Sequence, residues 1–204
     1  MKNIFESCYM KIVEEIESRP TIALVGGAFK PPTIGHFDMV QKYLDKADKV
    51  IVLISDPKSV KSERKTKSGK TITAEMSKKI WDMIIHRYNL GDRVEVVISP
   101  QPSPITAAYD YVDGTLKNAN VIFGVSRKGD DYKRYLNAPK YFEDRDDITI
   151  LDPKEYAVEP FELNGQPVSA TTVRQNIDNP ELVRQYFPRK LTDGDIREIM
   201  GILA

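Results

Sequence analysis

Short apolar runs alternate with longer amphipathic stretches along most of the chain, and this alternation constrains the fold more than any other feature. After its first residue, the run KVIVLI at 49–54 has no polar side chain, as expected for a strand buried on both faces of a parallel sheet. The pattern predicts strands at 22–25, 49–54, 94–98, 121–124 and 148–151, and helices at 35–44, 73–88 and 104–116. It therefore predicts a doubly wound α/β sheet, whose ligands bind beyond the carboxyl ends of the strands.

Both ends of the chain are expected to add helices to this sheet. Residues 1–20 carry apolar side chains at helical spacing, interrupted by Glu and Lys, which predicts a helix and excludes a signal-peptide core or a membrane span. Three more helices are predicted at 169–178, 181–186 and 193–203. We therefore expect an N-terminal helix at 1–20, a sheet domain at 21–179 and a small C-terminal helical subdomain at 180–204.

Charge and cysteine content narrow the functional classes. Thirty basic residues balance thirty acidic ones, so no overall field draws the chain to nucleic acid or to a membrane. Cys8 is the only cysteine, which excludes an intrachain disulfide, and with two histidines a structural zinc site is not expected. A reducing, cytoplasmic location is the default expectation, and a homo-oligomeric assembly stays open.

Common nucleotide and nucleophile motifs do not fit. The G-x-G-x-x-G fingerprint fails after the first strand, where prolines block the helix that it would open. A P-loop ending at Gly69 needs a glycine where Arg64 stands. Cys8 lies on the predicted N-terminal helix with no histidine nearby in sequence, so we interpret it as a packing residue.

The first strand runs directly into GGAFKPPTIGHF at 26–37. Thr33 stands at the expected N-cap after two prolines, and His36, three residues later, shares its helix face. Backbone N–H groups and the helix dipole favour an anion there, and Gly35 leaves room for it. These residues predict a phosphate site that is built without a P-loop.

The segment QPVSATTVRQNI at 166–177 repeats the arrangement near the other end of the chain. Ser169 is the expected N-cap, and Arg174 follows Thr171 by three residues, so a hydroxyl and a cation share one helix face. Two such helix starts facing each other would hold a polyphosphate.

These two segments resemble the motifs of the HIGH-motif nucleotidylyltransferase superfamily, which includes nicotinamide-mononucleotide and pantetheine-phosphate adenylyltransferases and cytidylyltransferases. The first is similar to G-x-F-x-P-x-(H/T)-x-G-H, with Thr33 in place of the first histidine. The second is similar to I-S-S-T-x-(I/V)-R, with Ala170 in place of the second serine. The GGAFKPP wording is also similar to versions encoded by large tailed phages. The resemblance covers 21–179 and implies a Rossmann-like, HUP-type fold.

Three departures from the family pattern affect the expected ligand. Lys30 stands where many members have aspartate, and the segment 123–135 lacks the Gly-Ser-Asp that many members use near the nucleotide. The cytidylyltransferase signature R-T-x-G-I-S-T-(S/T) is absent, which favours ATP over CTP. Arg127, Lys128 and Arg134 either line the nucleotide site or form a solvated basic face.

The resemblance implies direct attack of a substrate phosphate on the α-phosphate of a nucleoside triphosphate, with release of pyrophosphate. His36 would act on the α-phosphate, and Thr33 would position the phosphates together with the Gly27–Ala28 backbone. Arg174 would bind the β- and γ-phosphates with Ser169 and Thr171. Lys30 would be either a further catalytic cation or a solvated loop lysine. Mg²⁺ is expected as cofactor, held by phosphates and water rather than by protein ligands. The residues expected to bind the nucleotide are Gly26, Gly27, Ala28, Phe29, Gly35, Gly124, Arg127, Ser169, Thr171 and Thr172.

Other interpretations stay open for the substrate and for the basic loop. The sequence leaves the phosphorylated small-molecule acceptor open among nicotinamide mononucleotide, pantetheine phosphate and a sugar or alcohol phosphate, and cytidylyl transfer is the alternative to adenylyl transfer. A non-catalytic nucleotide-binding module would use the same fold. The basic stretch at 58–70 is either a functional lid or a solvated linker; a nucleic-acid partner for it is disfavoured by zero net charge.

Overall fold

The computed structural model describes Tyr9, Val13 and residues 19–56 and 63–204. The expected N-terminal helix falls outside these residues, apart from Tyr9 and Val13, which are helical. Five parallel strands form the central sheet in the order β3-β2-β1-β4-β5. They are β1 (Thr21–Gly27), β2 (Lys49–Ser55), β3 (Val94–Ser99), β4 (Ala119–Gly124) and β5 (Ile148–Ile150). The predicted doubly wound parallel sheet is confirmed.

Helices cover both faces of this sheet. One face carries α1 (Ile34–Leu44) and α2 (Ala74–Tyr88), and the other carries α3 (Pro104–Thr115) and the short α4 (Ala138–Tyr141). A 3₁₀ segment (Lys128–Tyr135) precedes α4. The remaining elements are α5 (Pro153–Tyr156), a hairpin of β6 (Glu162–Leu163) and β7 (Gln166–Pro167), α6 (Ala170–Gln175), α7 (Pro180–Arg184) and α8 (Asp193–Leu203).

Alternation along the strands explains why the sheet is buried on both sides. In β1, Ala23 and Val25 belong to the hydrophobic cluster under α1 and α2, whereas Leu24 belongs to the cluster under α3. All three side chains are buried. Fully burying a side chain such as Val or Leu contributes about 1.5–3 kcal/mol, so both clusters hold the sheet between its helical layers.

Local capping explains where two of the helices begin and end. Thr73 caps α2 by accepting the Met76 N–H at 3.2 Å, as predicted. The predicted helix at 169–178 is shorter than expected, since α6 ends at Gln175. Its C-cap residue, Asn176, bonds its side-chain amide to the Thr172 carbonyl, and such local bonds compete with continued helix.

The sheet opens at the carboxyl end of its middle strand. β1 pairs with β2 as far as Gly27 and Ile54, but with β4 only as far as Val25 and Gly124. Beyond Val25 the neighbouring strands therefore separate, at the position where the strand order reverses. In open α/β sheets this is the crevice that receives ligands.

The C-terminal helices pack on the face that carries α1 and α2. Val183, Phe187 and Ile199 are buried in the same cluster as Val25. The first amide of α1, the Ile34 N–H, donates to the Tyr186 carbonyl at 2.7 Å. Within the described residues, no helix combines the length and apolarity needed to cross a membrane.

Candidate active site

A cleft of about 200 Å³ lies where β1 and β4 separate. It contains residues from the start of α1, from the segment after β4 and from the base of the β6–β7 hairpin. The lining residues are Thr33, Gly35, His36, Met39, Ser126, Lys128, Asp131, Pro160, Phe161, Pro167 and Val168. The first motif and the first residues of the second segment therefore meet in one cavity.

The tautomer of His36 follows from its hydrogen bonds. The Thr33 N–H donates to Nδ1 of His36 at 3.1 Å, and the Thr33 Oγ1 lies 3.0 Å from the same nitrogen. Because Nδ1 accepts, the neutral ring carries its proton on Nε2. His36 borders the cleft, but the surrounding protein removes most of its water, and this desolvation lowers the pKa of His36 to about 4. At neutral pH the ring is therefore an uncharged hydrogen-bond donor rather than a cation.

Thr33 and Ile34 have partners inside the protein. Thr33 is 1% exposed, and its hydroxyl faces the His36 ring, so it orients that ring. The Ile34 N–H is taken by the Tyr186 carbonyl. At the start of α1, the Gly35 N–H has no acceptor among the described residues. This amide is left as a donor for a bound anion.

Packing explains the glycines at the end of β1. Phe29 has φ of 48°, which is rare for a bulky residue and folds its ring back over the preceding strand end. A Cβ on Gly27 would lie 2.8 Å from this ring, and one on Gly26 would lie 3.1 Å from the Pro104 carbonyl oxygen. The Phe29 ring contacts His36 edge-on, with ring centroids 5.0 Å apart. Gly26, Gly27 and Phe29 thus shape the loop that holds His36, and Ala28 lies half-buried between them.

Arg174 connects the second motif to the first. Its Nη1 donates to the Lys30 carbonyl and its Nη2 to the Thr171 Oγ1, both at 2.7 Å. Burial and the neighbouring Arg64 lower the pKa of Arg174, without removing its charge at any ordinary pH. The guanidinium therefore links the first turn of α6 to the loop that precedes α1.

Lys30 occupies an unusual position for a loop lysine. Its side chain is only 5% exposed, and the ammonium lies 3.8 Å from the Asp56 carboxylate, just after β2. A solvated loop lysine would be far more exposed, so the structure favours the interpretation of Lys30 as a fixed cation near the strand ends.

The remaining residues of the second motif lie outside the cleft. Ser169 caps α6 by accepting the Thr171 N–H at 3.2 Å, as predicted. Ser169 and Thr171 are exposed and Thr172 is half-buried; none of the three lines the cavity. Their predicted contacts to phosphates therefore require a ligand that extends beyond the cleft toward Arg174.

The segment after β4 supplies cleft residues that the sequence did not single out. Ser126 and Asp131 line the cavity. The predicted candidate Lys128 lines it as well, and its backbone N–H donates to the Ser126 Oγ at 2.9 Å. The Arg127 guanidinium instead bonds the Ala157 carbonyl and the Glu159 carboxylate, at 3.2 and 3.3 Å. Position at the end of β4 was the available signal for Ser126, since ligands bind there in such folds.

Two further predicted residues lie outside the cavity lining. Gly124 ends β4, and a Cβ there would lie 2.8 Å from the Val25 side chain, so packing alone requires glycine. Arg134 pairs with the Asp131 carboxylate at 3.2 Å. Phe161, which no motif indicated, contributes an aromatic wall at the base of the hairpin.

The described residues contain no cluster of three or more His, Cys, Asp or Glu side chains that could hold a metal ion. The cleft lining includes one carboxylate, Asp131. Mg²⁺ commonly binds through one carboxylate, several waters and substrate phosphates. The residues present therefore fit a magnesium ion that arrives with a polyphosphate.

Larger grooves lie elsewhere on the described surface. One of about 330 Å³ is formed by α7 and α8, and one of about 420 Å³ lies beside α2 and β3. Neither contains a residue of the two motifs, so size alone does not identify the site. The cleft at the strand separation is preferred because it combines both motifs with the carboxyl ends of β1 and β4.

Comparisons with known proteins agree with this fold. A model of the family described as cytidylyltransferase-like matches residues 24–176. A bifunctional NMN adenylyltransferase/ADP ribose pyrophosphatase from Francisella tularensis is similar in structure, with 17% identity, a TM-score of 0.58, and coverage of 89% of this chain and 50% of that chain. A putative nicotinate-nucleotide adenylyltransferase from Vibrio parahaemolyticus has 14% identity, a TM-score of 0.48, and coverage of 89% and 99%. No curated protein matches the sequence. The chain spans about half the length of the F. tularensis protein, and that likeness shows the fold alone.

Proposed function

Because the chain belongs to the cytidylyltransferase-like family, we propose that it is a nucleotidyltransferase that transfers AMP from ATP to a phosphate-bearing small molecule and releases pyrophosphate. The observation that carries this proposal is the cleft at the β1–β4 separation, where His36 meets Lys128 and Asp131 and beside which Arg174 bridges to the Lys30 carbonyl. Cationic and N–H groups converge there from three segments that are distant in sequence.

The reaction needs no nucleophile from the protein. An acceptor phosphate oxygen attacks the α-phosphorus in line, the bond from the α-phosphorus to the bridging oxygen breaks, and pyrophosphate leaves with the bonding electrons. Catalysis then consists of positioning and of stabilising charge on the phosphates. The Nε2–H of His36 donates to a non-bridging α-phosphate oxygen, and Thr33 holds the tautomer that makes this possible.

The leaving end of the triphosphate requires cations. Arg174 faces the β- and γ-phosphates with Ser169 and Thr171, and the fixed ammonium of Lys30 adds positive charge beside the strand ends. Mg²⁺, when bound, neutralises the phosphate oxygens, and Asp131 would hold it directly or through water.

The last part of the proposal concerns the molecule that accepts the nucleotide. Nicotinamide mononucleotide is our first candidate, and pantetheine phosphate and cytidylyl transfer are the alternatives. A nucleic-acid partner for the basic loop is disfavoured, because Lys65 pairs with Glu63 at 3.1 Å and Lys67 pairs with Asp178 at 2.9 Å. These carboxylates neutralise lysine charges that would otherwise bind the phosphate groups of a nucleic acid.

The test compares the only two histidines of the chain. Pyrophosphate release is measured with ATP or CTP and each acceptor, for wild type, His36→Ala, Arg174→Ala and His86→Ala. We expect the first two variants to lose about 10²–10³ in rate, the usual effect of removing one preorganised charge stabiliser. His86 is exposed and lies outside the cleft, so its variant serves as the matched control.

Two results would contradict the proposal. Turnover near the wild-type rate in His36→Ala would show that this residue has no catalytic role. Thermal stabilisation of the wild type by ATP without pyrophosphate release from any acceptor would instead favour the non-catalytic nucleotide-binding module.

A further inference from the structure

The hydroxyl of Tyr43 joins three segments beside the cleft. It accepts the Val125 N–H at 2.9 Å, and it lies 2.9 Å from the Val125 carbonyl and 3.1 Å from the Tyr156 carbonyl. Tyr43 is 0% exposed and Val125 is 1% exposed. A phenol has one proton, so the hydroxyl donates to one carbonyl at a time while it accepts from Val125.

The early end of β5 creates the need for this hydroxyl. β5 pairs with β4 only as far as Ile150 and Val121, and the Val125 N–H and carbonyl face that side of β4, so the Val125 N–H has no strand partner. A buried N–H without an acceptor is strongly unfavourable. Tyr43 supplies the acceptor, and the Val125 carbonyl is also held by the Val158 N–H at 3.1 Å.

Helix α1 thus supplies one cleft residue, His36, and contacts the segment after β4 that supplies others. His36 and Tyr43 are seven positions apart on α1, two turns along the same helix face. Ser126, which follows Val125 directly, lines the same cleft as His36. A Cβ on Gly124 would lie 3.1 Å from the Tyr43 ring, so glycine at that position leaves room for the tyrosine.

We propose that Tyr43 is a positioning residue: by holding Val125, it fixes the Ser126–Asp131 wall relative to His36 and thereby sets the affinity for the nucleotide. The inference rests on the proposed function. Tyr43 does not touch the substrate, because its hydroxyl is buried behind the cleft. Its effect on the reaction passes through the backbone at Val125 and the side chains of Ser126, Lys128 and Asp131.

The test is the Tyr43→Phe variant, which removes one oxygen and keeps the ring. The KM for ATP is expected to rise about tenfold, because the buried Val125 N–H loses its acceptor and the wall that follows it shifts. The kcat is expected to change less than about twofold, because His36 keeps its hydrogen bonds to Thr33. Tyr111→Phe is the matched control, since Tyr111 is half-buried on α3, outside the cleft lining.

The split between the two constants separates positioning from general destabilisation. A variant that only unfolds more often loses active enzyme, so its apparent kcat falls while its KM stays constant. Hydrogen exchange gives an independent readout, in which the Val125 amide is expected to exchange at least about tenfold faster in Tyr43→Phe. An unchanged KM with unchanged Val125 exchange overturns the proposal.

Failure of Tyr43 and failure of the proposed function give different results. A wild type that turns over, with a Tyr43→Phe variant of equal KM, overturns the role of Tyr43 alone. A wild type that neither binds ATP or CTP nor releases pyrophosphate overturns both. If Tyr43→Phe does not fold, hydrogen exchange of the ligand-free wild type tests the proposal. Protection of the Val125 amide close to that of the Phe123 amide supports it, and exchange as fast as at the exposed Gly165 overturns it.

Discussion

The Nδ1 atom of His36 accepts its hydrogen bond from the backbone of Thr33, so the chemistry of this ring is decided three residues upstream. The sequence identified both residues, because a T-x-x-H spacing at a helix start places them on one face. It did not identify the charge state, which depends on packing by Phe29 and on the loss of water around the ring. Motif spacing thus locates a candidate site residue, and tertiary packing sets its protonation.

The lowered pKa of His36 predicts a pH dependence of stability. The folded-state pKa is about 4 and the unfolded value is about 6.5, so the unfolded chain binds the proton more readily. The stability linked to the neutral ring is therefore complete above pH 6.5 and is lost as the pH falls toward 4. Urea unfolding at pH 7.5 and pH 5 measures this loss.

The His36→Gln variant provides the control for that measurement. Glutamine has no proton to gain in this range, so the variant is expected to lose less free energy of unfolding between the two pH values than the wild type does. Equal losses in both proteins would show that other groups cause the pH dependence.

At the scale of elements, an ion pair joins α2 to α8. The Arg87 guanidinium donates to both Asp195 carboxylate oxygens, at 2.8 and 2.9 Å. The same carboxylate accepts the Thr192 N–H at the start of α8. The hydrogen bond from Arg87, and to a lesser extent the bonds from Thr192, lower the pKa of Asp195 to about 2. A depressed carboxyl pKa means that this stabilisation is present above about pH 4 and is lost as the pH falls toward 2.

We predict that Asp195→Asn destabilises the protein by about 1–3 kcal/mol at pH 7, because it weakens hydrogen bonds to a charged group and leaves Arg87 without its ion-pair partner. The midpoint and slope of urea unfolding measure the change. Asp193→Asn is the matched control, since Asp193 lies exposed in the first turn of the same helix. A similar loss in both variants would assign the effect to the helix dipole instead.

The elements differ in how far the sequence predicts them. β2 was predicted within one residue because its apolar run is long and uninterrupted. The β6–β7 hairpin was missed, although Asn164 and Gly165 have the positive φ values of 53° and 71° that an Asn-Gly turn requires. Its strands have only two residues each, too few to show an alternating pattern.

At the scale of the whole molecule, the sheet and the C-terminal helices share one hydrophobic cluster. Phe187, which follows α7, is 1% exposed and belongs to the same cluster as Trp81 on α2. The sequence predicted a small helical subdomain at 180–204, packed on the sheet, from the helical pattern of this segment. We propose that these helices unfold together with the sheet.

The Phe187→Ala variant tests this cooperation. We expect it to lower the free energy of unfolding by about 3–5 kcal/mol, the usual range for truncating a buried phenylalanine. Trp81 is the only tryptophan, so its fluorescence reports the core directly. The matched control is Leu136→Ala, at a side chain that is 47% exposed.

An unchanged Trp81 transition in Phe187→Ala, or a separate earlier transition of the C-terminal helices by circular dichroism, would show that these helices unfold independently of the sheet.

The fold could be predicted as a whole, whereas the assembly of the site could not. Alternating apolar runs are sufficient to predict a parallel sheet, and capping residues predicted the two helix starts. The cleft, however, also depends on contacts between distant segments, such as Tyr43 with Val125 and Arg174 with Lys30. Such pairs leave no pattern in the local sequence, because each of these residues would be equally compatible with an ordinary core or loop position.

The bond from the Ile34 amide to the Tyr186 carbonyl has a consequence for protein synthesis. A ribosome adds about 5–20 residues per second and releases the N-terminal part of a chain first. The four strands up to Gly124 would leave the ribosome several seconds before Tyr186 is made. During that interval the first turn of α1 would lack its partner, and the candidate cleft would stay incomplete until Tyr186 had been made.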